Sequence, residues 1–194
     1  MIIDYPEGAT PLEPDEIEGL LLTHITTRGE LDRWEQDNIS QAYLWAEHPK
    51  KTDFFSEDFI CRLHKKMFGN VWKWAGKFRK SNKNIGINWQ EIAVELKKLC
   101  DDAKAWTEFE TFTPDEFAVH FHHRLVCIHP FPNGNGRHAR LMADLILEKI
   151  FKKPAFTWGS ASLIKQGESR KRYIESLKAA DDHDYSLLME FVRS

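Results

Sequence analysis

His129-Pro130-Phe131-Pro132-Asn133-Gly134-Asn135-Gly136-Arg137-His138-Ala139-Arg140 is the stretch around which this chain organises itself. Upstream of it, Phe117, Phe121, Leu125 and Ile128 recur on one helical face, so a helix ends near His129. Downstream, Leu141, Met142, Leu145, Ile146, Leu147 and Ile150 make a second helix apolar over much of its circumference, which suits the centre of a bundle. The turn between them carries Gly134 and Gly136. A helix start gathers unpaired amide donors and the positive end of the dipole, and glycines let that backbone come close to a phosphate. Arg137 and Arg140, three residues apart, can reach the same anion with guanidinium groups suited to bidentate contact. His129 lies across the turn as a general base, and Asn133 can offer an oxygen to a metal ion or a hydrogen bond to a phosphate. Base, anion cradle, charge clamps and a metal position are the parts that phosphoryl-type transfer requires.

Outward from this segment the elements are helical with one exception. Thr113-Pro114-Asp115-Glu116 supplies an N-cap, a proline at the first position and early acids. Helical periodicity also covers Gln90 to Trp106, and Ser56 caps a helix that runs to Phe68 and stops at Gly69-Asn70. Between Trp74 and Asn88, Gly76, Ser81, Asn82, Asn84 and Gly86 break up short apolar pieces, the pattern of a small β-hairpin. Nearer the start, Leu31, Trp34, Ile39, Ala42, Leu44 and Trp45 indicate a long amphipathic helix closed by Pro49, preceded by a short helix over Asp15 to Leu22 and an extended arm up to Pro14. Helices over Ser169 to Ala179 and Tyr185 to Val192 complete an all-α bundle with a small hairpin. Residues 1–55 form an N-terminal arm and helices packed on a core of residues 56–194, a natural place for regulation.

Composition narrows the function. A net charge of -3 gives no basic excess for nucleic acid. Three widely spaced cysteines, Cys61, Cys100 and Cys127, fit neither a disulfide framework nor a C-x-x-C site. The start, Met1-Ile2-Ile3-Asp4-Tyr5-Pro6-Glu7, is acidic and has no apolar stretch of a signal peptide, and no run nears the ~20 apolar residues of a membrane span. The expected setting is cytoplasmic, with neither membrane nor nucleic acid as partner.

The central stretch resembles the signature of the Fic (Fic/Doc) family, H-x-F-x-[DE]-G-N-G-R-x-x-R, at every defined position but one. Trp74-Ala75-Gly76-Lys77-Phe78-Arg79 to Ile85-Gly86 is similar to the flap hairpin of that family, and the order of elements agrees from about Ser56 to Val192. The short length and N-terminal pattern resemble the subfamily labelled mobile mystery protein B. The resemblance implies a helical fold and a protein adenylyltransferase, in which His129 deprotonates a hydroxyl of a target protein that attacks the α-phosphate of ATP. Gly134, Asn135 and Gly136 would hold the α- and β-phosphates, Arg137 and Arg140 the β- and γ-phosphates, and Phe131 would anchor the loop. Lys83, Asn84, Ile85 and Gly86 of the flap would bind the target by strand addition. It also implies Mg²⁺ as cofactor and, in some members, a toxin-like role restrained by a separate antitoxin. A kinase of the Doc type is an alternative, although Doc carries a changed G-N-G-R that is intact here. A nucleotide-binding module without chemistry is another.

Asn133 is the departure, standing where active members carry Asp or Glu, and its neutral amide holds Mg²⁺ less well than a carboxylate. Two acids partly match the family's inhibitory pattern [ST]-x-x-x-E-[GN]: Glu30, spaced from Thr26 but followed by Leu31, and Glu18, followed by Gly19 but preceded by Pro14. Either would have to reach Arg140. His120, His122 and His123 read as helix-surface or core-edge residues, since no further Cys or acid is spaced to complete a metal site. Trp72, Trp74 and Trp89 read as packing around the hairpin, and Lys80 and Lys83 equally as solvated residues or target contacts.

Overall fold

The computed structural model describes residues 12–25, 27–47, 53–160 and 166–194, so the arm before residue 12, Thr26 and Pro49 fall outside it. Eight α-helices are described: α1 (Pro14–Ile17), α2 (Arg28–Glu47), α3 (Glu57–Phe68), α4 (Ile92–Glu108), α5 (Pro114–Ile128), α6 (Asn135–Leu145), α7 (Gln166–Asp181) and α8 (Ser186–Val192). α6 widens into a π-turn over Ile146–Phe151. The caps are where the side chains require them. Ser56 Oγ accepts the Phe59 N–H at 3.2 Å, and Thr113 and Glu116 form a reciprocal capping box behind Pro114.

α5 packs on α6, with α4 and α8 on its flanks, while α3 lies between α2 and α6. Phe59, Ile60 and Leu63 of α3, Leu96 and Leu99 of α4, Phe117 and Phe121 of α5 and Met142 of α6 are all buried in one core. A smaller cluster around Val119, Leu147, Ala180 and Leu188 holds the C-terminal helices to the other side of α5. The two helices that bracket the glycine turn are thereby buried on several sides, which makes the turn a rigid object.

Two expectations change. The first helix is a single turn, and the chain leaves it through Gly19, packed so closely that a Cβ there would stand 2.8 Å from both the Glu16 carbonyl and the Trp74 ring. Beyond it the chain runs alongside the segment after α3, with Leu21 N–H donating to Val71 O and Lys73 N–H to Gly19 O. The hairpin expected over residues 74–88 is a looped arch: among the described residues no strand forms, and the one isolated bridge joins Leu20 to Trp72. Side chains tie its arms in place of a ladder. The Arg79 guanidinium donates to the carbonyls of Ser81 and Ile87, and Asn82 Oδ1 accepts the Trp89 N–H.

Burial pushes His122 and His138 down to about 3, and His64 well below its ordinary value. Each binds a proton more readily in the unfolded chain, so its stabilisation is complete above about pH 6.5 and is lost as pH falls. Between pH 6.5 and 4, His122 and His138 should each cost roughly 1.4 kcal/mol per pH unit. Thermal melts across that range test this, and a melting temperature that stays flat would contradict it.

Candidate active site

His129 ends α5 in the left-handed conformation (φ 52°, ψ 59°), its N–H donating to Leu125 O at 3.2 Å. For a residue with a Cβ this backbone state is strained, and such strain collects at functional sites. The loop that follows is fixed from within. Asn135 Oδ1 accepts the Phe131 N–H at 2.9 Å while its Nδ2 donates back to Phe131 O at 2.8 Å, so this asparagine shapes the loop with its side chain. Phe131 is fully buried and stacks on His64 at 3.7 Å. His64 Nδ1 accepts the Gly76 N–H, so its Nε2–H donates to Asn133 O at 3.0 Å and joins the base of the flap to the loop. Sequence reasoning passed over this histidine, although its place between Ile60 and Met67 on the apolar face of α3 marks it as buried.

Gly134 has φ +79°, and a Cβ there would meet the Phe68 ring at 2.6 Å. The helical ladder of α6 begins with His138 N–H donating to Gly134 O, which leaves the amides of Asn135, Gly136 and Arg137 ahead of it. Gly136 is half-exposed, and a Cβ on it would find nothing nearer than Tyr173 Oη at 3.9 Å. The helix entrance is therefore open on one side, as a phosphate site requires.

Both arginines border that entrance. Arg140 lies over the Tyr173 ring at 5.3 Å. Arg137 lies over Phe68 and donates to Glu35 Oε2 at 2.6 Å, while Glu35 Oε1 accepts the Trp72 indole N–H at 2.7 Å. Glu35, on α2, is buried. An acid of the N-terminal segment thus occupies a motif arginine, but it is neither of the two that the sequence nominated. Glu30 caps α2 through a reciprocal pair with Thr27, and Glu18 is an exposed residue at the end of α1. Nothing in the local pattern distinguished Glu35 from the other acids of a polar helix.

The arch covers His129. Arg79, buried, donates through Nε to His129 O at 2.7 Å and through Nη2 to Ile128 O, in addition to its flap partners. Gly86 (φ +96°) rests on the histidine, since a Cβ there would be 2.6 Å from His129 Cβ. Burial, aided by the positive charges of Arg79 and Lys83, pushes the imidazole down to about 4, so it is neutral at physiological pH. Lys83 is buried in an ion pair with Glu16 Oε2 at 2.5 Å. Asn84 and Ile85 are exposed at the arch tip, Trp72 stacks on Trp74 at 5.0 Å, and His120 packs against Phe112 at 4.4 Å.

The Fic/DOC family model matches residues 54–147, from the start of α3 through α6. These residues are a Fic/DOC domain. The chain is 28% identical over 159 residues to protein adenylyltransferase Fic of Aedes aegypti, covering 80% of this chain and 30% of that protein. With protein adenylyltransferase Fic of Nematostella vectensis it shares 29% over 147 residues, covering 74% and 33%. It spans about a third of the length of these relatives. Among solved structures, Fic-1 of C. elegans superposes with a TM-score of 0.66 at 26% identity, covering 89% of this chain and 51% of that one. BepC, a VirB-translocated effector of Bartonella tribocorum, agrees in fold with a TM-score of 0.68 at 16% identity, covering 93% and 97%. No helix among the described residues is long and apolar enough to cross a membrane.

Glu35→Gln keeps an acceptor for Trp72 and removes the charge from Arg137. Titration with ATP should show the variant binding several-fold more tightly than the parent, and an unchanged affinity would mean that the pair does not compete with nucleotide.

Proposed function

We propose that this Fic/DOC domain transfers AMP from ATP to a hydroxyl side chain of another protein. The observation that supports this most is the strained turn that holds a neutral His129 beside the half-exposed entrance of α6, where the amides of residues 135–137 precede the helical ladder. In the reaction His129 takes the proton of the target hydroxyl, whose oxygen forms a bond to the α-phosphorus as the bond to the bridging oxygen breaks and pyrophosphate leaves. The entrance amides would hold the α- and β-phosphates, and Arg137 and Arg140 the outer ones. The arch would have to lift from His129 for the hydroxyl to approach, with Asn84, Ile85 and Gly86 as its contacts to an extended segment of the target. Residues 1–55 serve in this reading as a regulatory segment, because Glu16 and Glu35 grip the flap lysine and a motif arginine. They would do within the chain what an antitoxin does from outside for toxin-like members. Three free cysteines suit a cytoplasmic setting.

The residues present fit Mg²⁺ poorly. Asn133 offers one neutral oxygen, and that oxygen accepts the Gly134 N–H at 2.7 Å. No step is therefore assigned to the metal. Asp at this position would still accept the Gly134 N–H and would add charge, so Asn133→Asp should raise transfer several-fold at low Mg²⁺, as read from initial rates. Equal or lower rates would exclude weak metal affinity as the limitation.

The amide at this position also supports a second reading, a nucleotide-sensing module without turnover. Incubation of the full chain and a target lysate with ATP labelled on the α-phosphate separates the readings. AMP transfer marks a protein and is abolished by His129→Ala. A sensor marks nothing, and label transferred only from the γ-phosphate would identify a kinase.

A further inference from the structure

Where α5 meets the end of α7, three ligating side chains converge that the reading above does not use. His123 and Cys127 are one turn apart on α5, and Asp181 is the last residue of α7. His123 Nε2 lies 2.8 Å from Asp181 Oδ1, and Cys127 Sγ lies 3.4 Å from each of them. Zinc bound tetrahedrally by nitrogen, oxygen and sulfur sets its donor atoms about 3.3–3.6 Å apart. Two sides of the triangle already have that length, and the third is a hydrogen bond that would open by roughly half an ångström.

A second, independent contact aims the histidine. Tyr185 Oη sits 3.2 Å from His123 Nδ1, the outer hydrogen bond that metal-ligating imidazoles characteristically make on the nitrogen away from the ion. His123 is buried and Cys127 half-buried, whereas the Asp181 side chain is 59% exposed, so a fourth position would face water. Arg124, the cation next along α5, is turned to Asp102 and leaves the Asp181 carboxylate available. We propose that His123, Cys127 and Asp181 bind one divalent cation of the zinc class, with water as the fourth ligand. Mixed imidazole, thiolate and carboxylate donors select such an ion over magnesium or calcium. Burial and the Asp181 charge push the Cys127 thiol up to about 12, so binding must expel a proton from sulfur.

The site would stitch α7 to α5 two residues before His129. α7 also carries Tyr173, beneath Arg140, so one ion would steady both the base and the second phosphate-binding arginine. The role is structural and needs no participation in catalysis.

Metal-free full-length protein, kept reduced, is titrated with Co²⁺ and followed by absorption. One equivalent should produce a thiolate-to-cobalt charge-transfer band with the visible bands of a tetrahedral ion. Zn²⁺ should displace it and raise the melting temperature. Cys127→Ser should remove the charge-transfer band while Cys61→Ser keeps it. Asp181→Asn, an exposed change that tests the site even if the cysteine variant does not fold, should weaken Co²⁺ binding about tenfold or more. Absence of a thiolate band in the parent, its persistence in Cys127→Ser, or unaltered affinity in Asp181→Asn would each overturn the assignment. None of these outcomes depends on transferase activity.

Discussion

A buried guanidinium, that of Arg79, holds the candidate site together. Removing a charge from water is tolerable only when its donors are fully used. Arg79 comes close to that condition, spending four of its five N–H donors on backbone carbonyls, those of Ser81 and Ile87 in the arch and of Ile128 and His129 at the end of α5. The last two belong to the negative pole of the helix, where a cation is favoured. In return the carbonyls left over at a helix end and in a strandless loop find donors they would otherwise lack. The arch and His129 are consequently one unit, fixed to each other by the Arg79 side chain.

The glycine turn is determined in a similar way from its other side. Asn135 closes the loop on itself, His64 ties it to Gly76, and the Phe131 ring fills the space beneath. In the proposed function the inner phosphates would be met by this backbone, whose amides need no rearrangement to meet an anion. The charged side chains are the adjustable part. Arg137 is bound to a buried carboxylate, Glu35, which holds a guanidinium where the proposed function needs a phosphate. Because Glu35 keeps its bond to Trp72, an exchange of partners by Arg137 would leave the acid polar-bonded but without a counter-charge. In the proposed function that cost would set how strongly Glu35 opposes nucleotide.

The Fic/DOC match of residues 54–147 and the helical class were legible in sequence for local reasons. The signature from His129 to Arg140, the caps at Ser56 and Thr113 and the 3.6-residue periodicities each act within a turn or two of chain. Caps and amphipathic faces are decided by neighbours in sequence, so α3, α5 and α6 lie where their patterns put them. Periodicity even carried information that went unread, in the burial of His64.

Tertiary structure alone decided the rest. Glycines and asparagines between Trp74 and Asn88 indicate turns, but whether the arms pair as strands depends on what Arg79, brought against α5, takes from them. The acid that meets a motif arginine is Glu35 because α2 docks on α3 in one orientation, and charge patterning along a polar helix does not encode that. The convergence of His123, Cys127 and Asp181 spans 58 residues between its histidine and its acid. Local spacing determined what each residue could do, and the packing of helices distant in sequence determined which partner it met.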